Sequence, residues 1–352
     1  MTLSFLETRL LKAVESNSLC LAKILLKLGT NVNIRDEQGN TLVDLSIRDG
    51  YIQMLKILIS AGACIGPYEQ GESLLEHAAA AGQANVVAAF IDLRADLEIK
   101  DNEGKSLISV AASNGHNEVV EQLIKAGVDI ESENMFSDTA LHLAPFGGHV
   151  DVVKTLIGAG ANLEHKNNME YTPLIHAAQW RQLEVVKVLL EAGADKEAQN
   201  KFGNTPLCCA SLSGCMDVAD VLLKEGANVN YVSGCGNSPV GCAALTGQPD
   251  IVEALVAAGA DLDSLDGQGW TPLTIAAEYG EGKVVEILIR SGADINRKNR
   301  EGYTPVQLAA VYEHSNIVDM LLKAGASAAD IANLEDLPLA KKVTEKMHDL
   351  EM

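Results

Sequence analysis

The chain reads as an all-α stack of short helical pairs, and three observations lead there. Gly29, Gly62, Gly127, Gly160, Gly193, Gly226, Gly259, Gly292 and Gly325 recur at a spacing of 33 residues, with one interval of 65. The apolar and turn residues between them recur in the same register. The composition is 47% hydrophobic but only 4% aromatic, which suits a thin core of Ala, Leu and Val. A fixed period of this length marks a modular array and not a compact enzyme, because each module buries its apolar face only against a neighbour.

Residues 198–230 contain one complete module. Asn200 to Gly203 carry turn chemistry, with Gly203 free to take positive φ. Thr205 is an N-cap and Pro206 stands at the first helical position, where a missing N–H costs nothing. Leu207 and Ala210 face inward from a helix of about two turns, and Ser213-Gly214 breaks it. Val218, Ala219, Leu222 and Leu223 form the inward stripe of a second helix, which Gly226 ends.

The motif D-x-x-G-x-T-P-L-H-x-A, then G-x-x-x-V-V, then L-L-x-x-G-A-D-x-N resembles the ankyrin repeat. It reads TPLIHAA at 172–178, TPLTIAA at 271–277, TPVQLAA at 304–310 and DTALHLA at 138–144. The resemblance covers nearly the whole chain. It implies an ankyrin-repeat solenoid of helix–turn–helix units with turn fingers.

Taken in order, residues 3–33 read as an N-terminal capping pair, with Leu10 and Ala13 inward and Glu7, Arg9 and Lys12 making its helix amphipathic, unlike a signal peptide. Nine full units run over 34–329. The interval of 65 follows from one residue deleted near Gly66-Pro67, with Arg94 at the glycine position. Residues 330–352 read as a capping half-unit, in which Leu337-Pro338-Leu339 repeats the T-P-L position and Lys341, Lys342 and Lys346 close the end. No catalytic or localisation domain is expected beside the array, and no SOCS-box-like or F-box-like tail is visible. The unit 132–164 departs most: Ser137 replaces the turn glycine, and Pro145 falls late in the first helix. Pro145 removes a donor and clashes with the preceding turn, so this helix should be short or kinked, with Phe146 pushed outward. In the next unit Trp180-Arg181 replace the usual residue-Gly.

Net charge is −21, with 23 acids and 13 bases in residues 1–176 and 25 acids and 14 bases in 177–352. No basic face exists to neutralise phosphates, so nucleic acid is a poor partner; basic proteins suit the charge better, although acids in loops also serve solubility. No apolar run approaches membrane-spanning length. Seven cysteines without disulfide spacing point to a reducing interior, hence the cytoplasm, with the nucleus or a host cytosol as variants. Cys208, Cys209, Cys215, Cys235 and Cys242 read as small buried side chains, with Cys209 stacked on Cys242. Cys235, at a turn tip, is the one reactive candidate. His116, His149, His314 and His142 occupy ordinary structural positions of the repeat. No metal-ligand spacing, cofactor motif or catalytic constellation is present, so neither cofactor nor enzyme activity is expected.

In ankyrin proteins, partners are read by the turn tips and the end of the first helix. By resemblance these are five positions in each of nine units, and they hold nine of the fourteen aromatics. Rings exposed on one face are hot-spot material. One group joins Met135, Phe136, Phe146, Met169, Tyr171, Trp180, Phe202 and Leu212 into an apolar surface. The other joins Trp270, Tyr279, Tyr303 and Tyr312 with Glu278 and Glu301, and with Glu281 and Glu313 nearby, which favours Arg or Lys by cation–π attraction. Ser213, Gly234, Asn237 and Thr246 lie between them, small and polar; Arg48, Asp49, Ala80 and Ala81 look inert. The resemblance also marks Asn33, Asn230 and Asn296 as positions where an asparaginyl hydroxylase can act. The expected function is a non-enzymatic, monomeric adaptor that binds a basic segment with apolar anchors. Alternatives are an enzyme built on groove Cys or carboxylates, a substrate-recruiting subunit or assembly chaperone of a larger complex, and an intracellular bacterial effector.

Overall fold

The computed structural model describes residues 3–64, 74–234, 236 and 238–332. They fall into two compact units divided between Asn162 and Leu163. In the first, helices α1 (Phe5–Glu15), α2 (Leu19–Lys27), α3 (Leu42–Arg48), α4 (Ile52–Ser60), α5 (Leu74–Ala80), α6 (Ala84–Asp92), α7 (Leu107–Ser113), α8 (Asn117–Ala126), α9 (Ala140–Leu143) and α10 (Val150–Gly158) form consecutive pairs. The second holds α11 (Pro173–Gln179), α12 (Leu183–Glu191), α13 (Pro206–Ser213), α14 (Met216–Lys224), α15 (Pro239–Leu245), α16 (Pro249–Ala257), α17 (Pro272–Tyr279), α18 (Gly282–Arg290), α19 (Pro305–Val311), α20 (Ser315–Lys323) and α21 (Ala328–Ala332). The expectations for Gly66-Pro67, Cys235, Asn237 and the half-unit at 337–348 lie outside the described residues.

Local chemistry explains the starts of the first helices in the pairs. Thr205 is extended at φ −80° and ψ 167°, its hydroxyl accepts from the Cys208 N–H, and Pro206 opens α13. The same capped start, with Ser4 and Glu7 bonding each other reciprocally, begins α1. His142 takes this role on α9, where its Nδ1 accepts from the Thr139 N–H at 3.3 Å. Leu10, Ala13, Leu207, Ala210, Val218, Ala219 and Leu222 are buried as the periodicity requires, while Leu223 is half-buried. Each unit therefore has a core of aliphatic side chains shared between successive pairs.

Two hydrogen-bond patterns tie loops to loops. Within each turn, an Asn or Asp holds the chain: Asn200 Oδ1 accepts from Phe202 N–H and Asn204 N–H, both at 3.0 Å. Asn134, Asn167, Asp266 and Asn299 hold the N–H four residues on in the same way. Between repeats, a side-chain oxygen accepts from the backbone N–H 31 residues later. Glu98 takes Asp129 N–H at 3.3 Å and Glu131 takes Asn162 N–H at 2.7 Å. In the second unit Glu164, Glu197 and Asp263 take Asp195, Asn228 and Asp294 N–H at 2.8, 2.8 and 2.9 Å. Asn33 and Asn230 make the same bond to Cys64 and Asp261. Several of the acids behind the negative charge therefore bind backbone and do not merely solvate loops. Asn33 and Asn230, read by resemblance as modification sites, belong to this ladder.

The departures from the repeat behave as their chemistry demands. Helix α9 stops at Leu143, and Ala144–Gly147 continue as a 3-10 turn around Pro145, which leaves Phe146 exposed. Asn17, Arg94, Ser137, Glu170, Arg181 and Glu313 have φ between 49° and 62°. Each occupies a register position that glycine holds in other repeats, so the left-handed conformation belongs to the fold and the side chain is accommodated at a cost. At one retained glycine the absent side chain serves a second purpose. A Cβ on Gly236, at φ 87°, would stand 1.6 Å from Gly267 N.

Gly236→Ala should therefore lower the urea midpoint by an amount equivalent to more than about 1 kcal/mol. Glu170→Gly, at an exposed turn with φ 57°, should raise it by about 0.5–1 kcal/mol as the strain is released.

Candidate functional site

The turn geometry decides which rings face water. Residues at the tip of the finger, ahead of the positive-φ position, point away from the helices: Met135, Phe136, Met169 and Phe202 are exposed. The residue after that position has both backbone groups tied to the Asn or Asp of its turn. For Tyr303, its N–H reaches Asn299 Oδ1 at 2.9 Å, and its carbonyl accepts from Asn299 N–H at 2.9 Å. That folds the residue back toward the capped helix start. Tyr303 is only 2% exposed. Its assignment to the exposed partner-binding face is corrected: the ring belongs to the core of the second unit. Next to it, α21 closes over the start of α19, where the Gln307 amide donates to the Asp330 carbonyl at 3.1 Å.

Tyr171 and Trp270 stand at the same register position as Tyr303 and are half-buried, a weaker form of the same inward turn. The ends of the first helices show the opposite tendency. Trp180 and Tyr279 are 49% and 56% exposed, at the point where the chain leaves the helix. Leu212 and Tyr312, at corresponding helix ends, are half-buried, and Glu301 is exposed.

Met135, Phe136 and Phe146 lie in the first unit. The remaining predicted residues lie in the second, where some of them come together at two places. Tyr171, Trp180 and Leu212 line a hollow of about 270 Å³ with Gln179, Asn204, Cys209 and Ser213. The Tyr171 ring also stands 5.1 Å from the His176 ring. Sequence reasoning missed Gln179 and Asn204, and placed Ser213 between the clusters when it shares the hollow with Trp180. The available signal was register: Asn204 occupies the position that holds Tyr171, Trp270 and Tyr303 in other repeats.

The second cluster centres on Glu278 at the end of α17. Burial raises its carboxyl above the ordinary carboxylate range, against the hydrogen bond from the Tyr312 hydroxyl, and the charges of Glu301 and Asp266 push the same way as burial. Burial, followed by the charge of Glu278, raises the Tyr312 phenol to about 12. The Glu278 carbonyl is held by His314 Nε2 at 2.9 Å, and His116 reaches the Ala80 carbonyl at 2.8 Å in the first unit. These histidines brace one repeat against the one before.

Cys208, Cys209, Cys215 and Cys242 are buried. Cys242 is hydrogen-bonded to Cys208, which with burial raises its thiol, and burial, followed by the charge of Cys208, raises Cys209. The packing pairs Cys242 with Cys208 as well as stacking it near Cys209. Thiols held neutral in this way are poor nucleophiles. Among the described residues no group of three or more His, Cys, Asp or Glu could hold a metal ion, and no helix is long and apolar enough to cross a membrane.

Helical pairs with capped T-P-L starts, finger turns and apolar residues at the tips define a repeat-built interaction module. The model of the family "Ankyrin repeats (3 copies)" matches residues 10–101, 107–200, 168–233, 192–266 and 241–332. The chain belongs to the ankyrin-repeat family, whose members are generally non-enzymatic modules for protein–protein interaction. A similar solved structure is that of the human ASB11 ankyrin repeat domain, at 27% identity and a TM-score of 0.57. The likeness covers 63% of this chain and 99% of that one. Comparison with curated proteins gave no match.

Raised folded-state values set the sign of two pH effects. The native state holds the Glu278 proton to higher pH than the unfolded chain does, so this group's contribution to stability declines as pH rises through its raised value. Glu278→Gln should therefore raise the melting temperature at pH 7, with the difference fading below about pH 4, where the unfolded carboxyl is also protonated. In a spectrophotometric phenol titration, the component lost in Tyr312→Phe should have its midpoint near 12.

Proposed function

We propose that the protein is a non-enzymatic adaptor that captures a protein partner on the finger tips and first-helix ends. In the second unit, Met169, Tyr171, Trp180, Phe202 and Leu212 would take an apolar segment. Trp270, Tyr279 and Tyr312 with Glu278 and Glu301 would take a basic one. In the first unit Met135, Phe136 and Phe146 offer a separate apolar contact. One observation carries this reading: Phe136, Phe146, Trp180, Phe202 and Tyr279 are exposed at positions the repeat does not need for packing. Large exposed rings cost solvation and contribute nothing to the core, whereas buried in an interface they are its strongest anchors.

Charge supports the basic half of the reading. A net charge of −21 attracts cationic segments over a Debye length of about 8 Å at physiological salt. A guanidinium or ammonium over each ring is worth roughly 0.5–2 kcal/mol. Free cysteines fit residence in a reducing cytoplasm, where the chain would act as a monomer. Recruiting a substrate to a larger complex, chaperoning assembly, or engaging a host protein would use the same surface.

Capture of partner from lysate, quantified by mass spectrometry, tests this. The double variants Trp180→Ala/Phe202→Ala and Trp270→Ala/Tyr279→Ala should each reduce capture at least tenfold, equivalent to about 1.4 kcal/mol, and the first, which removes exposed rings only, should leave the melting temperature unchanged. Raising salt should weaken only what the acidic cluster holds. Capture that survives both double variants would sink the proposal.

A further inference from the structure

We infer that the hollow between α11 and α13 receives a neutral aromatic side chain that carries a hydrogen-bond donor, a tyrosine or tryptophan of the bound protein. This rests on the reading that the second unit captures protein, and it names the chemistry of one anchor.

The hollow measures about 270 Å³ and has an apolar wall of Trp180, Leu212 and the Tyr171 ring. Its polar side includes Asn204 and Ser213. Asn204 is only 9% exposed, and its side-chain oxygen has no hydrogen-bond partner. The same register position in the first unit shows what a satisfied residue looks like. There Asp138 is equally buried, and its carboxylate accepts from the Asn134 amide at 3.4 Å. In the turn of Asn204 the matching donor, Asn200 Nδ2, is likewise without a partner, so the two side chains do not close on each other as Asn134 and Asp138 do. A buried polar atom without a partner is rare in folded proteins and calls for a cause. It stands here beside a half-exposed indole, in a hollow large enough for a ring, since a cavity of roughly 150 Å³ already accepts benzene.

Elimination narrows the occupant. An aliphatic side chain would cover Trp180 and Leu212 but seal Asn204 away from water with nothing to donate to it, which is costly. An arginine or lysine would bring a charge into a hollow whose lining holds no carboxylate; burial keeps Cys209 a neutral thiol, so it supplies no counter-charge either. A buried unpaired charge is worse than an unpaired amide. A carboxylate meets the converse problem, with no cation in the lining. A ring with one O–H or N–H fills the apolar wall and donates to Asn204 Oδ1, the unpartnered oxygen, once a small rotation of that side chain brings it to the hollow. Tyrosine and tryptophan combine an apolar body with such a polar edge.

Small probes separate this claim from the capture reading. The chain has two tryptophans, so an amide-type nitrogen–proton NMR spectrum of the full-length protein shows two indole signals, assigned with Trp180→Phe. N-acetyl-tyrosinamide should move the Trp180 signal, leave Trp270 in place, and bind at least about fivefold tighter than N-acetyl-phenylalaninamide, as one hydrogen bond implies. Asn204→Leu should erase that preference while phenylalaninamide still binds, and an unmoved Trp270 signal verifies that the variant folds. The inference is overturned if leucinamide, phenylalaninamide or argininamide derivatives bind as well as the tyrosine probe. It is equally overturned if none of them moves Trp180. Either result leaves standing a loss of partner capture in the Trp180 variant; only retention of capture there would count against the adaptor reading.

Discussion

Among the described residues no helix is long enough to bury its own apolar stripe. The second helices run nine or ten residues, and the first helices are shorter still in most repeats. Isolated helices of this length are marginal in water, so each pair exists because another pair covers it. That dependence explains the residue choice throughout. Ala at 112, 178, 210 and 277 is fully buried, small side chains in the thin core between short helices. Thr-Pro starts fix where α11, α13, α17 and α19 begin, and glycine caps the ends of α8, α13 and α17.

Stacking by side chains alone would leave the loops free to slide. The ladder of oxygens that accept backbone N–H groups 31 residues later fixes the stagger, and carboxylate and carboxamide do this equally well: Glu197 and Asn230 are consecutive rungs. A second brace comes from residues after the inter-helix glycine. A Cβ on Gly82 would meet the ring of His116 at 2.5 Å, and one on Gly280 the ring of His314 at 2.7 Å. The glycine thus supplies both the left-handed turn and the room for the next repeat's imidazole. Packing, ladder and brace are supplied by these residues, and Phe136, Phe202 and Tyr279 remain exposed beside them.

The fold was legible because it is written many times. A glycine every 33 residues is a signal no single motif provides, and even the break at Pro145 could be read from the missing donor and the clash. The site was legible only in part. Exposure at Trp180, Phe202 and Tyr279 followed from register, but Tyr303 did not. Its position is set by paired backbone bonds to Asn299, and the sequence motif does not say whether a ring there turns toward solvent or the adjacent turn. Trp270, Tyr171 and Tyr303 share one register position and differ in burial. Asn204 escaped notice for the related reason that its importance lies in a bond it does not make. Glu278 and Tyr312 are 34 residues apart in sequence, and only the stack shows that they share a proton's neighbourhood.

Hydroxyl-radical footprinting, with oxidation read residue by residue before and after partner capture, tests most directly whether the unpacked rings are the gripping surface. In the free chain Trp180, Phe202 and Tyr279 should oxidise readily and Tyr303 slowly. On capture, protection should concentrate on those three exposed rings. Protection confined to the opposite helices, with Trp180, Phe202 and Tyr279 oxidised at unchanged rates, would contradict it.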